Sequence, residues 1–433
     1  MTKLFFGEAL LPGGWARNVR VEIADGVIAS VVADAAPEGE RHAIALPGLG
    51  NVHSHAFQRG MAGRTEVAGP ASRDNGADTF WTWREGMYRF GLKLTPDDME
   101  AIAALAFAEM LEGGFTHVEE FHYLHHAPDG ARYDNVAEMS ARIFAAGGAA
   151  GIGVTLVPVF YAHGGFGPQP PSARQARFLN DLESYARLVD AARAYGATGV
   201  AAHSLRAATL EDVRAVAAMG APMHIHVAEQ TKEVDDCIAA LGARPVALLL
   251  DNAPVDRSWR LVHATHMDAQ ETARLAQTGA AAALCPITEA NLGDGLFPAK
   301  PYLDAGGRIA IGSDSNVRID AAEELRTLEY GQRLATRTRN VLAMPGGSTG
   351  RRLFDLALEG GETGGIAIGA SADIVSLDVA AEGDAILDAW IFARAPIDCV
   401  WRGGRKLVEA GRHVAKGPIA ARARAAMERL RAG

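Results

Sequence analysis

The run AIALPGLGNVHSH, residues 43–55, is an apolar stretch that ends in two histidines, His53 and His55. In an extended strand alternate side chains face the same way, so the two imidazoles project to one side together. Two imidazoles on one face make half of a metal site. The rest of the chain has to supply the other half.

Seven more short apolar runs follow: HVEEFHY (117–123), GVTLVPVFYAH (153–163), GVAAHSLRA (199–207), MHIHVAE (223–229), RLVHATH (260–266), AAALCPITEAN (281–291) and IAIGSDS (309–315). Helical stretches separate them, among them TPDDMEAIAALAFAEMLEGG, SARQARFLNDLESYARLVDAARAYG and AAEELRTLEYGQRLA. In the first of these a threonine N-cap precedes acids in the first turn, and a glycine pair stops the helix. Eight such repeats predict an α/β fold, a (β/α)8 TIM barrel. A doubly wound open sheet is the competing arrangement, but no glycine-rich phosphate loop follows the first strand.

The repeats share a regularity. Nearly every predicted strand ends in a residue that can ligate or carry a proton: His53 and His55, Tyr123, His163, His203, His226, His263, Asp314. In a barrel those ends converge on one mouth. In MHIHVAEQ, His224 and His226 face the same side, so either can serve as a ligand; we take His226, with Glu229 three residues on. In LVHATH, His263 is nearer the strand than His266 and is preferred. His53, His55, His226 and Asp314 then form a nitrogen–oxygen ligand set without thiolate, which suits Zn²⁺, with Fe²⁺, Mn²⁺ and Ni²⁺ as alternatives. The expected catalytic groups are Asp314 to accept a proton from water, Glu229 to carry one to a departing nitrogen, and His263 to polarise the group under attack.

Outside the repeats the texture is different. Residues 3–47 alternate and turn, with Asp25-Gly26 as a hairpin signal, and a similar texture returns after residue 372. PIAARARAAMERLRAG reads as a terminal helix. The chain has 433 residues, 48 % hydrophobic, with a formal net charge of −10 and no basic block, which argues against a nucleic-acid partner. Three scattered cysteines, Cys237, Cys285 and Cys399, suggest a reducing compartment. No run of ~18 apolar residues predicts a membrane span, and MTKLFFGEALLPGGW does not read as a signal peptide. A cytoplasmic protein is expected.

PGLGNVHSH, HVAE, the lone His263 and GSDS together resemble the amidohydrolase superfamily, in its mononuclear deaminase branch. The resemblance covers nearly the whole chain. It implies that the terminal segments pair as a small split β-sandwich, with residues 1–48 and 366–433 (the latter including the terminal helix) flanking a barrel of residues 49–365. No lysine ends the fourth strand, GVAAHSLRA, so one metal per subunit is expected. HSHAFQRGMAG, DTFWTWREGMY, EFHYLHH, HSLRA, HIHVAEQTKEVDDC and TEANLGDGLFPA carry a closer resemblance, to the N-formimino-L-glutamate deiminases of histidine degradation. These hydrolyse a formimino group to give N-formyl-L-glutamate and ammonia.

The substrate so implied is a small dicarboxylate, and an acidic protein must meet it with placed cations. Arg84 and Arg206 are the candidates, with Gln58, Tyr123 and His203 near the same mouth. Arg84 is expected in a long loop after the first strand, reaching either its own site or a neighbour's. The residues 69–78 within that loop look longer than is typical. The resemblance also implies a homodimer. Within the same branch, a deaminase of a purine, pyrimidine or triazine ring is the alternative. A non-catalytic scaffold is the reading from another class, against which the complete ligand set argues.

Overall fold

The computed structural model describes residues 1–66 and 78–432. Eight parallel strands make the barrel: β5 (Leu49–Ser54), β6 (Phe115–His122), β7 (Gly153–Phe160), β8 (Val200–Ser204), β9 (Met223–Val227), β10 (Trp259–His263), β11 (Ala281–Leu284) and β12 (Arg308–Ile311). They are hydrogen-bonded in sequence order. Each pairs in parallel with the next, and a parallel bridge between Ser54 and Asp314 joins the last strand's end to the first. These strands are buried along almost their whole length, as strands with a packed interior on one side and helices on the other must be.

The terminal segments form a second sheet. Strands β1 (Thr2–Leu11), β2 (Gly14–Ala24), β3 (Val27–Val32) and β4 (Glu40–Pro47) pair with β13 (Ile374–Leu377), β14 (Ile397–Arg402), β15 (Arg405–Glu409) and β16 (Arg412–His413) in the order β16-β15-β14-β13-β4-β1-β2-β3. The sheet curls on itself. Val27 of β3 bridges Ser371, just before β13, and a small core of Phe6, Val21, Ile28, Ile374 and Trp401 is enclosed. The β2–β3 hairpin turns at Asp25 and Gly26, whose φ values of 50° and 81° are the positive pair that such a two-residue turn needs.

Local signals placed several helices. Thr95 caps the helix Pro96–Glu112 by accepting from the amide of Asp98 at 3.2 Å, and Asp98 returns the bond to the amide of Thr95 at 3.2 Å. The terminal helix Lys416–Ala432 packs on that helix, with Arg429 paired to Asp98 at 2.6 Å. Three expectations need correction. PITEAN is not strand but the helix Pro286–Leu292, opened by a proline whose fixed φ and missing N–H suit a first helical turn. The long stretch from Ser172 is not one helix. It is a short 3₁₀ turn, then a helix from Leu182, capped by Asp181 accepting from the Ser184 amide at 2.7 Å. Arg84 lies not in a loop but in the helix Phe80–Gly91. Of the residues expected to form an unusually long loop, 69–77 lie outside the described residues.

The closing seam is tight. The amides of Ser313 and Asp314 both donate to the His53 carbonyl, at 3.0 and 2.9 Å. A Cβ added at Gly312 would lie 2.6 Å from the His53 carbonyl oxygen and 2.9 Å from its Cβ. Gly312→Ala must therefore push β12 away from β5. Overpacking typically costs about 1–3 kcal/mol, so a lower melting temperature together with reduced metal retention is expected. Thermal unfolding and elemental analysis check this, and normal metal content in a destabilised variant would uncouple the seam from the expected ligand His53.

Candidate metal centre and active-site cavity

The strand ends converge as their order requires. One ligand atom each from His53, His55, His226 and Asp314 lies within 4.8 Å of the others, and all four residues are buried. His53 and His55 come from the end of β5, His226 from β9, and Asp314 from three residues beyond β12. The ring orientations follow from hydrogen bonds. His55 Nδ1 is 2.9 Å from the carbonyl oxygen of Phe121, and His226 Nδ1 is 3.0 Å from that of His203. A carbonyl only accepts, so both Nδ1 atoms carry the proton and both Nε2 atoms are lone-pair donors. His55 Nε2 stands 3.2 Å from Asp314 Oδ1, and His53 Nε2 stands 3.5 Å from the same oxygen.

Protonation does not balance the cluster. Burial and the neighbouring His53 hold His55 down to about 3, and burial, with His263 and His224, holds His53 well below its ordinary value. Both ring nitrogens of His53 are buried without a hydrogen-bond partner among the described residues. Neutral imidazole lone pairs and one carboxylate, turned inward and almost wholly buried, are the donor set that a divalent cation satisfies. The cluster fits a metal. His224, the other imidazole on β9, instead lies 2.9 Å from Glu119 Oε2 inside the barrel.

Above the cluster opens a cavity with about 520 Å³ of empty space. His55, His226 and Asp314 reach its floor, and Glu229, His263, Gln58, Tyr123, His203, Arg206 and Arg84 line it. Every expected site residue except the fully buried His53 thus reaches one cavity. His163, although it follows a strand end, does not. It turns outward, 3.7 Å from Asp212, and Tyr161 two residues earlier faces the cavity in its place. His266 also turns away, its Nε2 lying 2.7 Å from the carbonyl of Asp294. Arg84 lines the cavity of its own chain.

The catalytic candidates are electrically coupled. His263 Nε2 is 3.7 Å from Glu229 Oε1 and 3.8 Å from Asp314 Oδ2. Burial opposes its charge, but the carboxylates of Glu229, Glu289 and Asp314 outweigh burial and push it up to about 10. Burial pushes Glu229 up to about 7, although His263 and Arg206 pull it down. Sequence reading missed Glu289, whose Oε1 is 3.2 Å from His263 Nδ1 and which also accepts from the Cys285 amide at 2.9 Å. A carboxylate five residues past the end of β11, behind a helix-starting proline, was the available signal.

On the cavity wall beside His55, Gln58 Nε2 donates to the Tyr123 hydroxyl at 3.0 Å, and Gln58 Oε1 has no hydrogen-bond partner among the described residues. The Nε atoms of Arg84 and Arg206 are also buried without a hydrogen-bond partner among the described residues. The backbone at the strand ends is unusual, with positive φ at Ala228 (52°), His263 (66°), Ala264 (49°) and Asp314 (43°).

Comparison with known proteins agrees with this geometry. Residues 44–407 match the model of the amidohydrolase family. The chain belongs to that family. Residues 1–43 match a model described as the N-terminal domain of formimidoylglutamate deiminase HutF. A formimidoylglutamate deiminase of Pseudomonas aeruginosa is 50 % identical, over 95 % of this chain and 96 % of the relative. A 5-methylthioadenosine/S-adenosylhomocysteine deaminase of Natronomonas pharaonis is 29 % identical over 78 % of this chain and 73 % of the relative. A crystal structure of an amidohydrolase from Brucella melitensis superposes with a TM-score of 0.95 at 51 % identity, covering 99 % of this chain and 100 % of that one.

One buried acid near the cluster offers a test of its electrostatics. Glu120 Oε1 accepts from the Ala56 amide at 2.6 Å, and burial pushes its carboxyl from 4.5 up to about 8 against the pull of that amide and of the Ser54 hydroxyl. Between those two values the folded protein holds a proton that the unfolded chain has released, so stability from this group falls as pH rises through that window. Glu120→Gln is neutral throughout. Its unfolding free energy relative to the parent should therefore rise from about pH 5 to about pH 8. Denaturant titrations at the two pH values measure this, and an unchanged difference would mean that Glu120 is ionised in the fold.

Proposed function

We propose that this chain is a formimidoylglutamate deiminase, which hydrolyses N-formimino-L-glutamate to N-formyl-L-glutamate and ammonia in histidine degradation. The observation that carries the reading is the cavity itself: a buried metal-ligand cluster at its floor and, in the same lining, two guanidiniums whose Nε atoms have no hydrogen-bond partner among the described residues. A ring deaminase needs stacking surfaces and amide donors, whereas two guanidiniums suit two carboxylates. The relative that shares half of the sequence bears the same activity in its name.

His53, His55, His226 and Asp314 would hold the metal, and the donor set suits one Zn²⁺ per subunit. When bound, the ion is a Lewis acid that lowers the pKa of water towards ~7. Asp314 takes the proton that the attacking water gives up, and water's oxygen bonds to the formimino carbon. His263 Nε2, charged and 3.8 Å from Asp314, donates towards that oxygen as the carbon becomes tetrahedral. The carbon then carries two nitrogens. A proton delivered to the terminal one expels ammonia and leaves the formyl amide, whereas a proton on the internal one would expel glutamate. Glu229, its affinity raised by burial and 3.7 Å from His263, delivers it to the terminal nitrogen, and its carboxylate takes back the proton of the carbon-bound hydroxyl as the C–N bond breaks and the C=O bond forms. Arg206 and Arg84 grip the two carboxylates, and Gln58, Tyr123 and His203 complete the substrate wall.

Other parts of the proposal rest on separate support. Three buried, free cysteines suit a cytoplasmic setting. Among the described residues no helix is long and apolar enough to cross a membrane. A homodimer is implied by the resemblance and is measured by light scattering.

Ammonia release from N-formimino-L-glutamate, set beside guanine, an adenosine-type nucleoside and N-formimino-L-aspartate, tests the activity directly. Turnover of a ring substrate alone would refute it. Chelation should abolish the reaction, and one equivalent of Zn²⁺ per chain should restore it. Glu229→Gln should keep its metal and lose ~10²–10⁴-fold in turnover, while Asp314→Asn should lose both metal and rate. A metal-free Glu229→Gln beside an unimpaired Asp314→Asn would reverse the roles. Truncating one partner of a buried charge pair costs roughly 2–5 kcal/mol. At ~1.4 kcal/mol per tenfold, Arg206→Met should lower kcat/KM for the dicarboxylate by roughly thirty-fold or more without touching metal content.

A further inference from the structure

Trp81 is one residue into the helix Phe80–Gly91 and only partly buried. Three cations gather on its indole. Arg84 Cζ lies 4.5 Å from the ring centroid, Arg206 Cζ 5.6 Å and Lys232 Nζ 5.8 Å. They come from three separate parts of the mouth: Trp81's own helix, the segment after β8, and the helix Thr231–Leu241 after β9. Arg84 is also held from its other aromatic neighbour, with Cζ 5.6 Å from the Tyr88 ring. Trp81 and Arg84, three positions apart, and Arg84 and Tyr88, four apart, are neighbours on one helix face. Phe80 meets Trp81 edge-to-face, with centroids 5.2 Å apart and planes at 87°.

Two like charges at one cavity wall repel each other, and a protein commonly meets that repulsion with a carboxylate. Such a partner would occupy the N–H edge that a ligand needs. Glu233 and Glu229 support the charge of Arg206 from a distance, but among the described residues only Glu229 comes within 4 Å, at 3.8 Å, beyond hydrogen-bond reach. An aromatic face works differently. Its negative quadrupole attracts a guanidinium through the flat side and carries no net charge. The N–H edge stays free, and the Nε atoms of both arginines are indeed buried and unpartnered among the described residues.

We propose that Trp81 is a positioning residue for substrate selection: its indole holds the guanidiniums of Arg84 and Arg206 side by side, with their N–H edges open to the two carboxylates of one substrate. The proposal rests on the dicarboxylate reading above and extends it to a residue that touches the arginines. It makes preference for two carboxylates over one depend on an uncharged side chain away from the reacting atoms.

The test compares Trp81→Leu, Trp81→Phe and Arg206→Met on N-formimino-L-glutamate and on its monocarboxylate analogue N-formimino-4-aminobutyrate, with metal content and melting temperature measured on each. Trp81→Leu should raise KM for the dicarboxylate on the order of tenfold, leave kcat within about threefold, and shrink the preference over the monocarboxylate. Trp81→Phe, with the weaker aromatic face, should recover part of that loss, and it carries the test alone if the leucine variant does not fold. Unchanged KM and preference in both Trp81 variants, with preference lost in Arg206→Met, would overturn the proposal and leave the dicarboxylate reading standing. Equal losses on both substrates through kcat would also overturn it, since that is the result of a packing residue. Preference retained in Arg206→Met would remove the dicarboxylate reading and the proposal together.

Discussion

The arrangement at the mouth of this barrel depends on one constraint: lone pairs and a carboxylate are turned towards one another, almost wholly buried, at the floor of the cavity. An unsatisfied buried polar group costs roughly 1–3 kcal/mol, and His53 alone offers two such atoms. Burial forbids the usual remedy of protonating the imidazoles, since His53 and His55 are both held far below their ordinary values. A cation answers the problem for all four donors at once. The hydrogen bonds from His55 and His226 to backbone carbonyls serve the same end, because they commit Nδ1 and leave Nε2 pointing inward.

Holding those donors in place requires backbone that ordinary residues avoid. Left-handed conformation costs a non-glycine residue about 1–2 kcal/mol, and Ala228, His263, Ala264, Asp314 and Asn316 all adopt it. Local hydrogen bonds hold these residues there. Asn316 Nδ2 donates to the Asp314 carbonyl at 2.9 Å and to Ser54 Oγ at 3.0 Å, while Asn51 Nδ2 donates to Ser313 Oγ. The bonds to Ser54 and from Asn51 cross the seam between β12 and β5, so the position of Asp314 and closure of the barrel are one structural fact. On β9 and β10, the amides of Ala264 and His266 donate to the carbonyls of Val227 and Ala228, both at 3.0 Å, which registers His263 against the Glu229 loop.

What could be read in the sequence follows from this. The barrel was legible because apolar runs and helical stretches alternate with a regular period, and His53, His55, His226 and Asp314 were legible because strand ends in a barrel share a mouth. Side-chain direction within a strand is a matter of parity, so His53 and His55 could be paired on one face. Past a strand end parity fails. His163 turned outward and Tyr161 took the cavity, and the sequence around them does not distinguish the two. Glu289 was hidden by reading PITEAN as strand, and the convergence of Arg84 and Arg206 on Trp81 joins residues more than a hundred positions apart that no local pattern relates.

The proton affinities around Glu229 show how the surroundings divide charge. Glu229 has two cationic neighbours, His263 and Arg206, yet burial prevails and its carboxyl is held at about 7. Asp294 is buried nearby, and burial together with Glu229 pushes it up to about 9. Burial and the neighbouring Glu229 thus both favour the protonated form of Asp294. The positive charge on His263 is supported by Glu229 first, and by Glu289 behind it and Asp314 before it. A group with an affinity near 7 can both release and recover a proton at neutral pH. That is the property the proposed proton shuttle between water and a departing nitrogen needs, and burial is the largest cause that raises Glu229.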